Sequence, residues 1–280
     1  MGQIIRYVNS RGREMDLSST FRARIRKKTA GFYDYEYTPE TTGLAKGVRV
    51  NRMKKAAAEY TITLDVTGTP EERASSLQEF FELVDYDVAM ETPGRFWVGS
   101  QYIDGFVIKS NMQYYETRHR TLGREFTLFA PYPYWIEDRT LRFRQTGEGQ
   151  SDGIDLPTDF DFDLGQPLGG MESIRNTHYI PTSFLLTVYG PATNPALTIG
   201  GHLYKVNTEL AAGEYLRIDS INKTVIRHTA SGLDISEYNN REKTQSVFEP
   251  IPPGENALVW SGAFAFDLTL HQERSELRWK

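Results

Sequence analysis

Alternation of apolar and polar residues with a period of two dominates this sequence and indicates a mainly β fold. In the run EYTITLDV, Tyr60, Ile62, Leu64 and Val66 alternate with threonine and aspartate. Successive side chains of a β-strand point to opposite faces, so such a run buries one face and leaves the other polar. Shorter runs of the same kind, RFWVG, YIDGFVIKS and EFTLFA, are separated by glycine or polar turns.

One helix is predicted among these strands, at about residues 70–86. Thr69 suits an N-cap, Pro70 suits the first helical position, and Glu72 stands three residues after the cap. Apolar residues then recur at the spacing of one helix face, which predicts packing against a sheet: Leu77, Phe80, Phe81 and Val84.

The second half of the chain contains only strand patterns, typical of an antiparallel sandwich or jelly roll. In the last segment, residues 251–280, Ser261-Gly262 separates two apolar runs and predicts a β-hairpin. A stretch rich in glycine, proline and aspartate precedes this half and places a domain boundary near residues 138–145, giving domains 1–139 and 140–280. The predicted strands are 183–189, 196–205, 214–219, 223–228, 245–249, 256–260 and 263–271.

Residues 31–57 suggest a projecting hairpin arm. Tyr33, Tyr35 and Tyr37 alternate with acidic residues, and a turn-rich stretch then leads to a second strand-like run at Val48 and Val50. Large aromatic side chains flanked by charge indicate a subunit contact, because tyrosine is enriched at protein interfaces. The alternative is an ordinary hairpin on the domain's own sheet.

Charge is distributed unevenly along the chain. Residues 1–60 contain 13 lysines and arginines against 6 acidic residues, although the whole chain carries a net charge of −5. Such asymmetry suggests either contact with nucleic acid or a basic surface that is solvated or faces a partner. Arg22, Arg24 and Arg26 alternate with apolar residues, which predicts a half-buried strand with a basic outer face and favours the solvated or partner-facing surface.

No metal or cofactor site is predicted. Asp159, Asp161 and Asp163 match the first acidic positions of a calcium loop, but Leu164 and Gly170 stand where its glycine and glutamate are required. The chain has no cysteine. The histidines do not have zinc-motif spacing: His119, His178, His202, His228 and His271.

Catalysis and membrane insertion are not predicted either. No serine lies in a nucleophile elbow, and no phosphate-cradling glycine motif is present. The sequence has no apolar run of the roughly 18 residues expected of a spanning helix. These observations predict a protein that is not an enzyme and does not insert into a membrane.

The order of several segments resembles the distal tail protein (Dit) family of siphophages that infect Gram-positive bacteria. The resemblance covers essentially the whole chain. Its segments are REFTLFAPYPYW, YGPATNPALTIGGHLYKVN, LAAGEYLRID and IPPGENALVWSGAFAFDLTL, followed by a late Arg-Trp pair.

The resemblance implies an N-terminal domain that forms a hexameric ring, helped by an arm that reaches a neighbouring subunit. It implies a C-terminal galectin-like β-sandwich that faces outward. The implied partners are the major tail protein of the tube, a tail-associated fibre or lysin protein, and receptor-binding or other baseplate proteins. DNA would pass through the ring only transiently. The implied location is the distal end of the tail in the virion, after assembly in the host cytoplasm.

A carbohydrate-binding module acting through the C-terminal sandwich is the alternative function. A galectin sugar site resembles His-x-Asn-Pro-Arg followed by Trp-x-x-Glu-x-Arg. Here Asn194-Pro195 is followed by Ala196, Ala192 replaces the histidine, and no glutamate follows Trp260 at the required spacing. Since the polar groups that would bind sugar hydroxyls are missing, Trp260 is predicted to belong to the core.

Overall fold

The computed structural model describes residues 4–18, 23–25, 32–116, 121–145 and 171–278. It contains two compact units, one formed by Met1–Glu137 with Glu273–Lys280 and the other by Asp138–Gln272. The sequence-based division placed all of residues 140–280 in the second domain, whereas the structure groups the final segment with the first unit. The reason is that Leu277 is buried in the core of that unit, where its N–H donates to the carbonyl oxygen of Phe32 at 3.2 Å.

The described part of the first unit consists of β-strands and one helix, and its last strand continues into the second unit. In chain order the elements are β1 (Ile5–Val8), β2 (Glu14–Asp16), β3 (Ala23–Ile25), β4 (Thr38–Gly43), β5 (Val48–Lys54), β6 (Ala58–Thr67), α1 (Pro70–Ala89), β7 (Gly94–Val98), β8 (Gln101–Glu116), β9 (Thr121–Ala130) and β10 (Trp135–Phe143).

Strand β8 organises the first unit because it pairs along its length with different partners. Its beginning pairs antiparallel with β7 and β10, and its remainder pairs with β9. Strand β7 continues to β1 and β2, while β9 continues to β6 and β3. The predicted alternation of β6 is confirmed, since its four apolar residues from Tyr60 to Val66 are each at most 4 % exposed.

The predicted helix is confirmed and is one turn longer than expected, at Pro70–Ala89. Thr69 and Glu72 form a capping box, in which each side chain accepts from the other residue's backbone N–H. This arrangement satisfies N–H groups that the first turn leaves without helical partners. Phe80, Leu83 and Val84 are buried, and Leu77 and Phe81 pack against the same core.

The second unit is a β-structure that includes the end of β10 and most of its last strand. The elements are β11 (Met171–Asn176), β12 (Ser183–Tyr189), β13 (Ala192–Thr193), β14 (Ala196–Ile199), β15 (His202–Lys205), β16 (Glu209–Leu210), β17 (Tyr215–Asp219), β18 (Thr224–His228), β19 (Asp234–Ser236), a 3₁₀ turn (Tyr238–Asn240), β20 (Gly254–Trp260) and β21 (Phe266–Arg274).

Two antiparallel sheets share one hydrophobic core in the second unit. Within this unit one sheet has the order β19-β18-β17-β12-β21 followed by the end of β10, and the other has the order β11-β20-β14-β15. Buried residues from both sheets form a single cluster, which includes Leu186, Leu216 and Phe266 from the first sheet and Leu197 and Leu258 from the second. The mainly β fold predicted from the sequence is therefore confirmed.

The hairpin predicted at the end of the chain is wrong. Strand β20 pairs with β11 and β14, whereas β21 pairs with β12 in the other sheet. The chain between Trp260 and Phe266 thus crosses from one sheet to the other instead of turning back on itself. Residues 245–249 do not form a strand, since 245–248 form turns, although Val247 and Phe248 are buried in the core. Trp260 is only 5 % exposed, which confirms its assignment to the core.

Candidate functional site

The most distinctive surface element of the first unit is the hairpin formed by β4 and β5, hereafter the arm. The two strands pair with each other, and among the described residues neither pairs with any other strand. Every residue of both strands is exposed. The alternative of an ordinary hairpin on the domain's own sheet is therefore wrong, and the arm is shorter than the predicted 31–57.

A β-bulge gives the arm two chemically different faces. Glu40 pairs with Arg52 but Thr41 pairs with Val50, so Asn51 is an extra residue on β5. Paired residues of an antiparallel ladder point to the same side. The apolar face consequently carries Pro39, Val48, Val50 and Met53, and the charged face carries Glu40, Arg49, Arg52 and Lys54.

The apolar face of the arm is open to solvent. Val48 is 61 % exposed, Val50 50 % and Met53 55 %, and Leu44 beside the turn is 57 % exposed. An isolated two-stranded hairpin is at best marginally stable in water. Contiguous exposed apolar residues mark surfaces that are buried on association, so the arm has the character of an element completed by a partner.

The base of the arm is fixed by contacts distant in sequence. The Lys55 ammonium donates to the carbonyl oxygen of Ser275 at 2.8 Å and to that of Pro133. It also lies 4.6 Å from the ring centre of Tyr134, a favourable position for a cation. The hydroxyls of Tyr37 and Ser275 are hydrogen-bonded at 2.6 Å. These contacts hold the start and the end of the arm against one place on the first unit.

The packed side chains of Tyr132 and Tyr134 extend this base. The Tyr132 hydroxyl donates to Glu273 Oε2 at 2.7 Å, and its ring centre lies 4.8 Å from that of Tyr134. Burial, with the Glu273 carboxylate, raises the pKa of the Tyr132 hydroxyl well above its usual value. Tyr132 therefore stays protonated and keeps its role as a donor over the whole neutral range.

The three tyrosines predicted at the subunit interface precede β4 and have different surroundings. Tyr33 is half-buried and packs against the core. Tyr37 is half-buried in the base, while Tyr35 is 55 % exposed and meets Tyr37 edge-on at a ring distance of 5.8 Å. The interface role of these tyrosines remains a prediction, and Tyr35 offers the largest free surface for it.

The predicted strand of alternating arginines is present as β3. It pairs antiparallel with β6, and Arg24 is the register partner of Asp65. Arg22 and Arg26 lie outside the described residues, so their proposed place at an interface stays a prediction, as does that of Arg24.

Titration of Lys55 provides a test of the arm base. Burial lowers the pKa of Lys55 to about 8 because the charged form loses hydration. The unfolded chain then binds more protons than the folded chain between about pH 8 and the ordinary lysine pKa, so the stability contributed by this position rises with pH in that window. We expect the melting temperature of the wild type, relative to Lys55→Met, to increase from pH 8 to pH 10. A melting-temperature difference between the two proteins that stays constant from pH 8 to pH 10 would contradict the burial of Lys55 at the base of the arm.

The described residues contain no cluster of side chains suited to hold a metal ion. The four described histidines have structural neighbours instead. His228 and His271 pair with Asp234 and Asp138, His202 bonds to the backbone of Ser246, and the buried His178 packs against the Tyr179 ring at 4.4 Å. Asp159, Asp161, Asp163 and His119 lie outside the described residues. In the described part of the chain, no helix has the length and apolar character needed to cross a membrane.

Comparison with known proteins identifies the fold. No protein-family model matches the sequence, and no curated protein matches it. Solved structures do match over nearly the whole chain. The crystal structure of the SPP1 Dit protein, described as a paradigm of the hub adsorption apparatus in Gram-positive infecting phages, aligns with a TM-score of 0.57 at 11 % identity. The alignment covers 98 % of this chain and 100 % of that one.

A second group of matches comes from the phage P2 baseplate in its activated conformation. The structure with Ca aligns with a TM-score of 0.62 at 12 % identity and covers 98 % of this chain and 99 % of that one; the structure with Sr gives the same values. The chain therefore has the fold of phage distal tail and baseplate hub proteins, which confirms the resemblance suggested by its motifs.

Proposed function

We propose that this chain is a structural hub of a phage tail tip or baseplate, built as a ring of identical subunits. The observation that carries the proposal is the arm, an exposed two-faced hairpin on a chain whose fold matches phage hub proteins from end to end. A ring uses heterologous interfaces, in which one surface of each subunit meets a different surface of the next. A projecting arm suits such an interface because it carries a binding surface beyond its own unit.

In this proposal the ring has six subunits and joins the tail tube, through its major tail protein, to a tail-associated fibre or lysin protein. Receptor-binding or other baseplate proteins attach to its periphery, and the second unit acts there as a galectin-like scaffold rather than as a sugar site. DNA passes through the ring during ejection. The proposed location is the distal end of the tail in the virion, following assembly in the host cytoplasm.

Removal of the arm tests the proposal. Thr38 and Lys54 are register partners, so the residues between them can be replaced by a two-residue glycine turn without stretching the chain. Native mass spectrometry and negative-stain imaging should show rings for the wild type and monomers for the armless variant. The variant should keep the wild-type circular dichroism, because the arm contributes nothing to the cores of the two units.

A matched control shortens the turn between β18 and β19 in the second unit, where Thr229 and Leu233 close a tight loop. This variant should still form rings. Rings that persist without the arm would overturn its role in assembly. A wild-type chain that remains monomeric even at millimolar concentration would overturn self-assembly itself.

A further inference from the structure

We propose that the charged face of the arm docks on the solvent face of helix α1 in a second copy of this chain. This inference rests on the proposed self-assembly and goes beyond it by naming the receiving surface. Both surfaces belong to the first unit, and both are exposed in the single chain.

The arm supplies cations that form no ion pair within the described part of the chain. On its charged face Lys54 is paired with Glu40, which leaves Arg49 and Arg52. Within the described part of the chain no ion pair involves either arginine. Arginine binds carboxylates through two parallel hydrogen bonds and is the cation best suited to interfaces.

Helix α1 supplies the opposite charge. Glu82 and Asp85 are exposed and stand one helical turn apart, on the side opposite the buried residues of the helix. The only basic residue of α1, Arg73, is buried near the other end. Among the described residues, neither Glu82 nor Asp85 forms an ion pair, and Glu82 accepts one hydrogen bond from the Gln78 amide at 3.1 Å.

The end of α1 also favours positive charge. No basic residue of the helix itself occupies its last turn, where the helix dipole is negative and a positive charge stabilises the helix. Arg11 of the same chain lies 5.0 Å from the ring centre of Tyr86 in that turn, and Asp85 adds negative charge close by. An arginine from another subunit would pair with Asp85 and add to the positive charge at this end.

The spacing of the charges also matches. Arg49 and Arg52 pair with positions two residues apart on β4, a separation of about 7 Å along a strand. Side chains one turn apart on a helix, such as Glu82 and Asp85, are about 5–6 Å apart. Because the arginines of the arm and the carboxylates of the helix are complementary in charge and in spacing and both belong to this chain, a second copy is the occupant that these surfaces favour.

Charge reversal in two variants provides the decisive experiment. The arm variant carries Arg49→Glu with Arg52→Glu, and the helix variant carries Glu82→Arg with Asp85→Arg. Each alone should require a concentration at least about tenfold higher to form rings, equivalent to about 1.4 kcal/mol. Mixed one to one, the two should form rings again, because every reversed arm then meets a reversed helix and every native arm meets a native helix.

Cross-linking gives an independent readout, since the chain has no cysteine of its own. A chain with Arg52→Cys and Asp85→Cys should oxidise to a ladder of covalent oligomers. The matched control joins Arg52→Cys to Glu71→Cys, which lies about 20 Å away along the helix, and should stay largely monomeric under denaturing conditions.

The outcomes separate this inference from the function on which it rests. Wild-type rings that resist both reversals and give no specific cross-link would overturn the docking surface while leaving the hub proposal intact. A wild type that never assembles would overturn both. If the arm variant keeps its rings but loses salt-sensitive binding to duplex DNA, the arginines serve nucleic acid and the inference is wrong.

Discussion

The Trp260→Ala variant is expected to lose about 3–5 kcal/mol of the unfolding free energy of the second unit, the usual cost of removing a buried tryptophan. Trp260 packs edge-on against the stacked rings of Phe143 and Phe266, at centroid distances of 5.7 and 5.6 Å. Truncation would leave a cavity between the two sheets that neighbouring strands cannot fill. Urea unfolding monitored by circular dichroism would measure the loss.

The next residue along β20 provides the control. Val259 is 45 % exposed and points away from the core, so Val259→Ala should change the unfolding free energy by less than about 0.5 kcal/mol. A Trp260→Ala variant as stable as Val259→Ala would contradict the scaffold role. A sugar ligand found for the wild type and lost in an otherwise stable Trp260→Ala variant would revive the carbohydrate-binding alternative.

The second large effect is expected at Asp87, a fully buried carboxylate on α1. It accepts hydrogen bonds from the Tyr7 hydroxyl at 2.6 Å and from the backbone N–H and hydroxyl of Ser10 at 2.8 and 2.7 Å. Gly94 completes this site, because a Cβ there would overlap both the Tyr7 hydroxyl and the Asp87 carboxylate. Asp87→Ala leaves the donors of Tyr7 and Ser10 without an acceptor, and it should destabilise the first unit by about 3 kcal/mol or more.

Thermal or chemical unfolding of a double-mutant cycle would test this network. Tyr7→Phe removes one donor and should cost less than Asp87→Ala, and the double variant should cost less than the sum of the two. Asp85→Ala, an exposed change two residues away on α1, should be nearly neutral for the stability of the monomer. Strict additivity between positions 7 and 87 would show that the hydrogen bond adds no stability.

Local features of this fold were readable from the sequence because they depend on neighbouring residues. The capping box of Thr69 and Glu72 and the alternation of β6 each follow from short-range geometry. The strand-like alternation at Val48 and Val50 in β5 was also visible, whereas the extra residue Asn51 was recognised only from the pairing of the strands. The sequence did not reveal that this alternation separates two exposed faces, since alternation alone does not say which face a partner covers.

Features set by distant contacts could not be predicted. Alternation before and after Ser261-Gly262 identifies two strands but not their partners, and the shortness of the connection suggested a hairpin. The structure shows that burial of Trp260 against Phe266 across the core takes precedence over local pairing. Similarly, Lys55, Pro133 and Ser275 meet only after the chain has folded, and no local pattern marks them as the base of the arm.

The anchoring of the arm has a consequence for synthesis. Tyr37 and Ser275 are separated by 238 positions, and Lys55 depends on the same late segment. During translation the arm therefore emerges before its anchor and remains without it until Ser275 has left the ribosome. A product that stops before Ser275 would carry an arm without these contacts, so the link between the two distant segments favours the entry of subunits that contain both into the proposed assembly.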